Sequence, residues 1–337
     1  MSEPDSNPAP ETASEVVLDA SSAGKRLDVA LAARLPDRSR SFLARLLKDG
    51  AILINGKEAK PSYKVRGGER VEIEWPEPEV IEARPEAIPL DVLYEDSDVI
   101  VVSKPAGMCT HPSAGHATGT LVNALLAHCK DLSAINGALR PGIVHRLDAQ
   151  TSGVIVAAKN DLAHRTLQEQ FMARTVRKQY LALCHDTPPR DRFTCDGRIG
   201  RHPVHRLKMT VLRGASEGRE ARTDFEVLER SGVAPLLTSP ENGRLFQNGV
   251  FLVLARPHTG RTHQIRVHLA AAGFPVLADS LYGSEPEVPA LGLARHALHA
   301  WKLEFDHPRT GKRMLLEAPL ADDMREAVRR LGGRWPL

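Results

Sequence analysis

Helical and alternating spacings of apolar residues between positions 24 and 75 predict two short helices followed by a hairpin. Leucines recur at i, i+4 and i+8 in KRLDVALAARL, and apolar residues recur at helical spacing in SRSFLARLLKDG, with Ser39 as a candidate N-cap. The segment AILINGKEA predicts a strand that runs into an Asn-Gly turn, and the alternation in VEIEW predicts another strand. Together these elements define a small module near the N-terminus.

Beyond residue 90, short apolar runs of strand length are interspersed with a few longer helical patterns. Strands are predicted in DVIVVSKP, SGVIVAAK, RKQYLALC, ARTDFEVLE and GVFLVLARP, and helices in GTLVNALLAHC, LAHRTLQEQFMA and RTHQIRVHLAAAG. Because strands and helices do not alternate strictly, we expect a mixed, largely antiparallel sheet and not a doubly wound parallel one. The predicted fold class is α+β, with a small α+β domain in front of a larger one.

Composition sets the expected domain boundaries. Residues 1–15 are rich in proline, serine and acids, which predicts a disordered tail before a domain at 16–75. Residues 76–89 are rich in proline and glutamate and predict a linker to a second domain at 90–337. Within that domain, the polar and glycine-rich segment 236–249 predicts an exposed hairpin insertion.

Length and composition argue against several classes of protein. The 337 residues suffice for two or three domains, and the apolar content is that of an ordinary globular chain. No apolar run approaches the roughly 20 residues that span a bilayer, and the N-terminus lacks the pattern of a secretory signal. Four cysteines lie far apart without a CxxC pair, which argues against a zinc site or a disulfide framework. We therefore expect a cytoplasmic protein with no membrane partner.

The net charge of +3 says little, but the charges are distributed unevenly. Nine Lys/Arg against three acids fall in residues 38–70, and five Lys/Arg with no acid fall in the predicted loop 198–213. Separate basic patches indicate a polyanion-binding surface, although a single charged run is more often solvated surface. The cations expected to contact phosphates are Arg38, Arg40, Arg45 and Lys48 in the first patch and Arg201, His202, Arg206 and Lys208 in the second.

The small module resembles the S4 RNA-binding domain over about residues 24–75. The serine-arginine pair before the second helix and the G-x-x-x-x-NG pattern after it are typical of that domain. The resemblance implies that this part of the chain grips folded RNA, mainly through its phosphates.

A single carboxylate, Asp148, lies in the segment RPGIVHRLDAQTSG among arginines and a histidine, just before the apolar strand VIVAA. Its position at the entry to a buried strand places it against the core. On local evidence alone, an aspartate that caps the turn at Thr151-Ser152 is the favoured interpretation. A functional role is the alternative.

The segment HTGRTHQIRVHLAAAG predicts a helix that carries cations. Thr262 is a candidate N-cap and Gly273 a candidate C′ residue. His263 and Arg266 share one face of this helix, and Arg261 lies near its N-terminus, where the helix dipole favours an anion. A solvated cationic face is the alternative interpretation.

Four segments resemble, in chain order, the successive motifs of the RluA/RluD-type pseudouridine synthases: GIVHRLDAQTSGVIVAAK, RKQYLAL, HTGRTHQIRVHLA and RHALHAWKLEFDHP. The resemblance runs through about residues 90–320, and the first and third strings together are highly specific. GRIGRHPVHRLKM is similar to the version in the ribosomal large-subunit synthase D subgroup, whose members also carry an N-terminal S4 domain. Family members often have a charged pair where this chain has Ala149-Gln150.

The resemblance implies an isomerisation that breaks the uridine N1–C1′ bond, rotates the base and rejoins it through C5, with no cofactor and no metal. It implies that Asp148 is the essential nucleophile or base; attack at C1′ and removal of the 2′ proton both stay open. Arg266 corresponds to the arginine that keeps this carboxylate ionised in a dry pocket.

The same resemblance implies roles for the other pocket residues. Arg146 is similar to the arginine that enters the space left by a flipped base, and Tyr180 to the tyrosine that stacks on that base. On the strand pattern alone, a structural tyrosine would be the commoner case. Leu298 is expected to form an apolar wall, whereas His145 and His263 are read as structural or RNA-contacting.

The expected partners are large-subunit ribosomal RNA and the pre-ribosomal particle, with the inter-subunit stem-loop as target; a tRNA target stays open. The protein is expected to be a monomer, because no long exposed apolar stripe is left over. Two other classes compete with this interpretation. A non-catalytic RNA-binding or ribosome-assembly protein would not need the intact motif residues, and a hydrolase would need a second carboxylate or a nucleophilic Ser/Cys elbow at a recognisable spacing.

Overall fold

The computed structural model describes residues 13–36, 38–75, 83–113, 115–129, 132, 141–186, 188–205, 207–212, 217–231, 249–283 and 287–333. The chain divides into two units, Met1–Val80 and Ile81–Leu337. Most of the predicted tail, part of the predicted linker and nearly all of the predicted insertion lie outside the described residues. Within those residues, no helix has both the length and the apolar character needed to cross a membrane.

In its described residues, the first unit combines the two α-helices that the apolar spacing predicts with a four-stranded antiparallel sheet. The elements are β1 (Ala13–Leu18), α1 (Leu27–Arg34), α2 (Arg40–Lys48), β2 (Ile52–Ile54), β3 (Lys57–Glu58) and β4 (Glu69–Glu74), and the strand order is β1-β4-β2-β3. Ser39 caps α2 by accepting a hydrogen bond from the Phe42 N–H at 3.2 Å. Leucines of both helices pack with Ile52 and Ile73 of the sheet into one core.

Strand β1 corrects the predicted tail. Residues 13–15 were expected to be disordered, but they lie in β1, which pairs with β4 over its whole length. The Trp75 indole N–H donates to Ser14 Oγ at 2.8 Å, and Leu18 is buried in the core. The boundary was wrong because polar composition hides a short edge strand whose one buried face needs few apolar residues.

The second unit is built on a ten-stranded sheet. Its strands are β5 (Asp91–Glu95), β6 (Val99–Lys104), β7 (Ser152–Ala158), β8 (Arg177–His185), β9 (Arg192–Arg201), β10 (Met209–Leu212), β11 (Arg219–Ser231), β12 (Val250–Pro257), β13 (Leu298–Asp306) and β14 (Arg313–Glu317). Its α-helices are α3 (Leu121–His128), α4 (Asp161–Ala173), α5 (Gln264–Ala271) and α6 (Asp322–Arg330). The strand order is β10-β9-β11-β12-β8-β13-β7-β6-β5, with β14 paired to β13. Of the described pairs only β13 with β7 is parallel, so the predicted α+β class with a largely antiparallel sheet is confirmed.

Strand β13 lies between two groups of strands that precede it in the sequence. It pairs in parallel with β7 and antiparallel with β8, so β5–β7 lie on one side of it and β8–β12 on the other. Leu298 contributes to the core around β8, β12, α5 and α6, whereas Ala300 and Phe305 contribute to the core around β6, β7, α3 and α4. The junction is tight at Gly153, which has φ +113° and faces the backbone of Ala300.

Two loop predictions change in the second unit. Residues 83–89 of the predicted linker lie in this unit, where the Glu86 N–H donates to Asn123 O at 2.9 Å. The predicted loop 198–213 is largely a hairpin, because β9 continues to Arg201 and β10 begins at Met209. Its described connecting residues are 202–205 and 207–208.

Candidate active site

A cleft of about 620 Å³ opens in the second unit beside the loop that carries Asp148. The loop before β7, the end of α4, strand β8 and the loop between β12 and α5 line it. The predicted residues that the structure brings together in this lining are Arg146, Asp148, Tyr180, Arg261, His263, Arg266 and Leu298. Among the described residues of the lining, Asp148 is the one carboxylate amid arginines, a lysine and histidines.

Asp148 is paired with an arginine that a second carboxylate fixes in place. Arg266 Nη1 donates to Asp148 Oδ2 at 3.2 Å, whereas its Nε and Nη2 donate to the two oxygens of Asp279 at 2.7 and 2.8 Å. Burial would raise the pKa of Asp279, but Arg266 holds that pKa below its usual value. The expected contact between Asp148 and Arg266 is therefore present, and Asp279 is an addition that the sequence did not single out.

The Asp148 side chain does not cap the turn that follows it. The Thr151 N–H donates to the backbone carbonyl of Asp148 at 3.0 Å. The carboxylate instead contacts Arg266 and, at 4.0 Å, His263 Nε2. The interpretation favoured on local evidence is thus replaced by one in which the carboxylate belongs to the cleft.

Helix α5 begins one residue later than predicted and is buried. The N-cap is His263 and not Thr262; His263 has φ +55° and makes no side-chain cap bond. Gly273 has φ +87° after the helix, at the predicted C′ position. Every residue from Gln264 to Leu269 is buried, so a solvated cationic face is excluded. The burial of this helix brings the Arg266 guanidinium into the interior beside the cleft.

Tyr282 and His263 close one side of the ion pair. Tyr282 Oη accepts from the Met209 N–H at 2.8 Å and forms a hydrogen bond of 2.8 Å with His263 Nδ1. His263 Nε2 lies 4.0 Å from Asp148 Oδ2. Burial lowers the pKa of His263, an effect that Asp148 opposes, and the imidazole is neutral at pH 7. The Tyr282 ring also lies under the Arg266 guanidinium, 5.1 Å from its carbon.

Tyr180, Leu298 and Arg146 differ in their exposure within the lining. Tyr180 is half-buried; burial and then the charge of Asp148 raise the pKa of its phenol, which therefore stays protonated at neutral pH. Leu298 is buried at the start of β13 and gives the cleft an apolar wall. Arg146 is exposed at the same cleft and is not the ion-pair partner of Asp148.

Two buried cations that the sequence did not single out anchor the backbone after Asp148. Lys104 Nζ donates to three backbone carbonyls, one of which is that of Ala149 at 3.1 Å. Burial, and to a lesser degree the charge of Arg295, lowers the pKa of Lys104 to about 7. The ammonium thus holds two loops together where their carbonyls converge.

Arg295 is the second of these cations. It donates to Gln150 O at 2.9 Å and to Ser152 Oγ at 3.1 Å, and it is paired with Asp323 of α6 at 2.7 and 2.8 Å. In this chain, Ala149 and Gln150 therefore support the loop through their backbone carbonyls. Helix α6 is thereby connected to the loop that carries Asp148.

In the first unit, Arg40 is engaged in an ion pair. Arg40 donates to Asp28 at 2.8 and 2.9 Å, and Arg26 donates to the same carboxylate at 3.0 Å. Asp28 is 3% exposed, whereas both arginines remain about half exposed. The two guanidinium groups are thus held side by side at the surface of α1 and α2.

Arg38, Arg45 and Lys48 are the other predicted cations of this unit, and all three are exposed. The Arg38 guanidinium carbon lies 5.0 Å from the centre of the Trp75 ring, and that of Arg45 lies 5.5 Å from the Phe42 ring. Their charged groups stay accessible to an anion from solvent.

The hairpin between β9 and β10 carries the second predicted patch. Arg201 is exposed, and the His202 N–H donates to Lys208 O at 3.0 Å, which closes the hairpin end. His202 Nδ1 accepts backbone N–H bonds from Val204 and His205. Arg206 lies outside the described residues.

Among the described residues, Asp96, Asp98 and His307 are close enough together to hold a metal ion. However, Arg309 donates to both oxygens of Asp98, and His307 Nε2 lies 2.7 Å from Asp96 Oδ2. These groups satisfy one another, so the cluster acts as a structural ion network. The four cysteines are free thiols.

The fold and the cleft define an RNA-modifying isomerase. Residues 98–271 match the family of the RNA pseudouridylate synthases, and residues 25–71 match the S4 domain. The chain belongs to the RNA pseudouridylate synthase family, and the predicted enzyme class is confirmed.

Similar proteins cover nearly the whole chain. An uncharacterized RNA pseudouridine synthase, YlyB of Bacillus subtilis, is 45% identical over 91% of this chain and 94% of its own length. The ribosomal large subunit pseudouridine synthase D of Neisseria meningitidis serogroup B is 43% identical over 90% of this chain and 77% of its own length. Among solved structures, human RNA pseudouridylate synthase domain containing 1 is 26% identical, with a TM-score of 0.51 over 76% of this chain and 97% of that one.

Proposed function

We propose that this pseudouridine synthase modifies uridines of large-subunit ribosomal RNA, with Asp148 as its essential carboxylate. The observation that carries the proposal is the Asp148 carboxylate in a cationic cleft, paired with an Arg266 that Asp279 orients. The S4 domain and the name of the Neisseria relative support ribosomal RNA as the substrate. The inter-subunit stem-loop, met in the pre-ribosomal particle in the cytoplasm, is the target we propose, and the enzyme acts as a monomer.

The chemistry needs one group that stabilises the sugar after the N1–C1′ bond breaks. Breaking N1–C1′ leaves the bonding electrons on the base; Asp148 either adds to C1′ or removes the 2′ proton. The base turns, and C5 bonds to C1′ as the Asp148 ester is displaced or as the proton taken from C2′ is returned. The C5 proton is then lost while N1 gains one, so the atoms balance without a cofactor. Both contacts of the Asp148 carboxylate involve Oδ2, which leaves Oδ1 for the nucleotide.

The nucleotide must leave its stack to reach this carboxylate, at a cost of a few kcal/mol. Arg146, exposed at the cleft two residues before Asp148, fills the space that the flipped base vacates. Tyr180 stacks on the base as a neutral phenol, because burial raises its pKa, and Leu298 packs against it as the apolar wall.

Contacts outside the cleft select the site on the RNA. Arg38, Arg45 and Lys48 of the first unit are exposed and hold phosphates, and Arg40 does so together with Arg26. Further phosphate contacts come from Arg201, His202, Arg206 and Lys208 of the hairpin. Within the cleft, Arg261 beside α5 adds another.

The experiment maps pseudouridines by carbodiimide-adduct primer extension in rRNA and tRNA from cells that lack the protein. The cells are then rescued with wild type, with Asp148→Asn, or with Asp91→Asn as a control at an exposed aspartate of β5. We expect defined stops to disappear and to return with wild type and Asp91→Asn only. Unchanged stops in the deletion strain, stops lost only in tRNA, or full rescue by Asp148→Asn would each overturn a stated part of the proposal.

A further inference from the structure

Three cations of the cleft are not used by the chemistry above. Lys178 lies two residues before Tyr180 on β8, so both side chains project from the same face of the strand. Arg174 ends α4, and Arg261 lies in the loop before α5. Three separate elements thus bring positive charge to the lining of one cleft.

Arg174 occupies a position where helices usually end in glycine. It is the C-cap of α4, with φ +60° and ψ +29° in the left-handed region. Residues with a Cβ are uncommon there, and such conformations collect at functional sites. The same residue lines the cleft, to which its side chain brings a guanidinium that a glycine would lack.

The loop that carries Arg261 is fixed before any ligand arrives. Gln264 is 4% exposed, and its Oε1 accepts from Thr259 Oγ1 at 2.7 Å and from the Arg261 N–H at 3.0 Å. Its Nε2 donates to Thr223 Oγ1 at 2.9 Å. Thr259 O in turn accepts from Lys178 Nζ at 3.3 Å, so the loop and β8 form one rigid support.

The three cations repel one another at this support. Burial, and then the charges of Arg261 and Arg174, lower the pKa of Lys178 to about 8. Burial, and then the charges of Arg219 and Arg174, lower the pKa of Arg261. Like charges that are held together in a partly dry place cost stability unless an anion binds between them.

The described residues of the cleft do not supply that anion. Asp148 is the one carboxylate of the lining, and it is already paired with Arg266. Glu220 offsets part of the charge of Arg261, but it is shared with Arg198 at 3.6 Å. The positive charge around Lys178 is therefore not balanced by these carboxylates, and an anion from outside the protein would stabilise it.

We propose that Lys178, Arg174 and Arg261 bind one backbone phosphate next to the target uridine, a role that rests on the proposed action on RNA. A phosphodiester carries a single negative charge and two free oxygens that accept hydrogen bonds. Among its described contacts, Lys178 uses one of three ammonium N–H donors, on Thr259 O. Since Lys178 and Tyr180 share a strand face, the phosphate binds beside the base that stacks on Tyr180.

The test uses stem-loop RNAs in which single phosphates beside the target uridine are replaced by neutral methylphosphonates. Affinity is measured by fluorescence anisotropy for wild type, Lys178→Met and Lys312→Met, a control at an exposed lysine between β13 and β14. We expect one linkage at which the neutral group weakens binding by wild type and Lys312→Met about tenfold. Lys178→Met should bind the unmodified RNA as weakly as wild type binds the RNA with that neutral linkage. Neutralising that linkage should not weaken the binding of Lys178→Met further, whereas other linkages should affect it as they affect wild type.

If Lys178→Met is as sensitive as wild type at every linkage, the phosphate site is wrong. Circular dichroism checks its fold, and Arg174→Gln, at an exposed position of the same site, provides a second variant if Lys178→Met is unfolded. Because affinity is read from binding and not from turnover, the two proposals fail separately. Absence of tritium release from 5-³H-uridine RNA with wild type contradicts the proposed function and leaves the phosphate coupling measurable.

Discussion

Arg266 Nη1 donates to Asp148 Oδ2 at 3.2 Å across 118 positions of sequence. The other edge of the guanidinium forms two shorter bonds with Asp279, which lies in the interior. The orientation of Arg266 is therefore set by Asp279 before a nucleotide arrives. The cation beside Asp148 is therefore already oriented, so no free energy is needed to reorient it when a nucleotide binds.

Replacing Asp279 by asparagine should damage both stability and turnover. The variant removes one charge of a buried bidentate pair, so the free energy of unfolding should fall by about 3 kcal/mol, measured by urea titration. Arg266 loses its orientation, and single-turnover tritium release should slow by about 100-fold while RNA affinity stays close to wild type. Asp91→Asn, at an exposed site, is the control; a stable and fully active Asp279→Asn would contradict the assigned role.

Gly153 should not tolerate a side chain. Its φ of +113° and the backbone of Ala300, which a Cβ would overlap, together oppose alanine. Gly153→Ala should lower the free energy of unfolding by about 3 kcal/mol or more. Gly311→Ala, with φ +67° and open space around the Cβ, should cost only about 1 kcal/mol. Equal urea midpoints for the two variants would show that the β7–β13 junction is looser than described.

His164 should make stability depend on pH. It is fully buried without a hydrogen-bond partner at either ring nitrogen in the described structure, and burial lowers its pKa from 6.5. Below pH 6.5 the unfolded chain therefore binds more protons than the folded one. The stability that the neutral, buried His164 allows is fully present above pH 6.5. This stability is lost as the pH falls towards the pKa of His164 in the folded protein.

His164→Leu should therefore flatten the decline of unfolding free energy between pH 6.5 and 5, and raise that free energy by about 1 kcal/mol at the lower end. Urea titrations at a series of pH values measure both effects. His116→Leu, at an exposed histidine, serves as the control. Other buried histidines keep some slope in the variant, but an unchanged slope would mean that His164 is protonated in the folded state.

Arg295 should position the catalytic loop without touching the RNA. Arg295→Gln removes the bonds to Gln150 O and Ser152 Oγ, and Asp323→Asn weakens the hold on Arg295. Each variant should slow single turnover by about tenfold with unchanged affinity, and the double variant should be no slower than Arg295→Gln alone. Additive losses, or losses confined to affinity, would assign these residues another role.

Variants of Arg45 and Arg40 should distinguish a residue that only contacts RNA from one that also stabilises the first unit. Arg45→Gln should reduce the slope of log affinity against log salt by about 1 and leave stability unchanged. Arg40→Gln should also lower the free energy of unfolding, by about 1–3 kcal/mol, because Asp28 is buried and keeps only Arg26. Filter binding and urea titration distinguish the two variants; identical behaviour in both assays would contradict the difference.

The elements that could be predicted from the sequence are those whose apolar pattern is local. Strands β6, β7 and β12 each contain a continuous apolar run and are largely buried, and β8 has a buried apolar half from Leu181 to Cys184. Strand β9 alternates only weakly between exposed and half-buried residues, so nothing in its composition marks it. Helix α6 was missed although Met324, Ala327 and Val328 stand at helical spacing between an acidic first turn and a basic last turn. That signal was available in the sequence.

The residues of the site likewise divide into those that a local motif reveals and those that only the folded structure reveals. Motif resemblance places Asp148, Arg266 and Tyr180 in one cleft, and the structure brings all three together. Asp279 and Arg295 could not be found this way, because their roles come from partners that only the folded sheet brings near. A charged residue next to an ordinary loop carries no local sign that it will be buried against a distant arginine or carbonyl.

Strand β13 has a consequence for the order of events during protein synthesis. Asp148 stands before β7 and Arg266 on α5 against the other group of strands, and β13, which joins the groups, is made after both. While the ribosome is still translating residues 298–306, the two halves of the sheet have no strand between them. A nascent chain can therefore already carry Asp148, Tyr180 and Arg266 and still lack an assembled cleft until β13 is released and inserted.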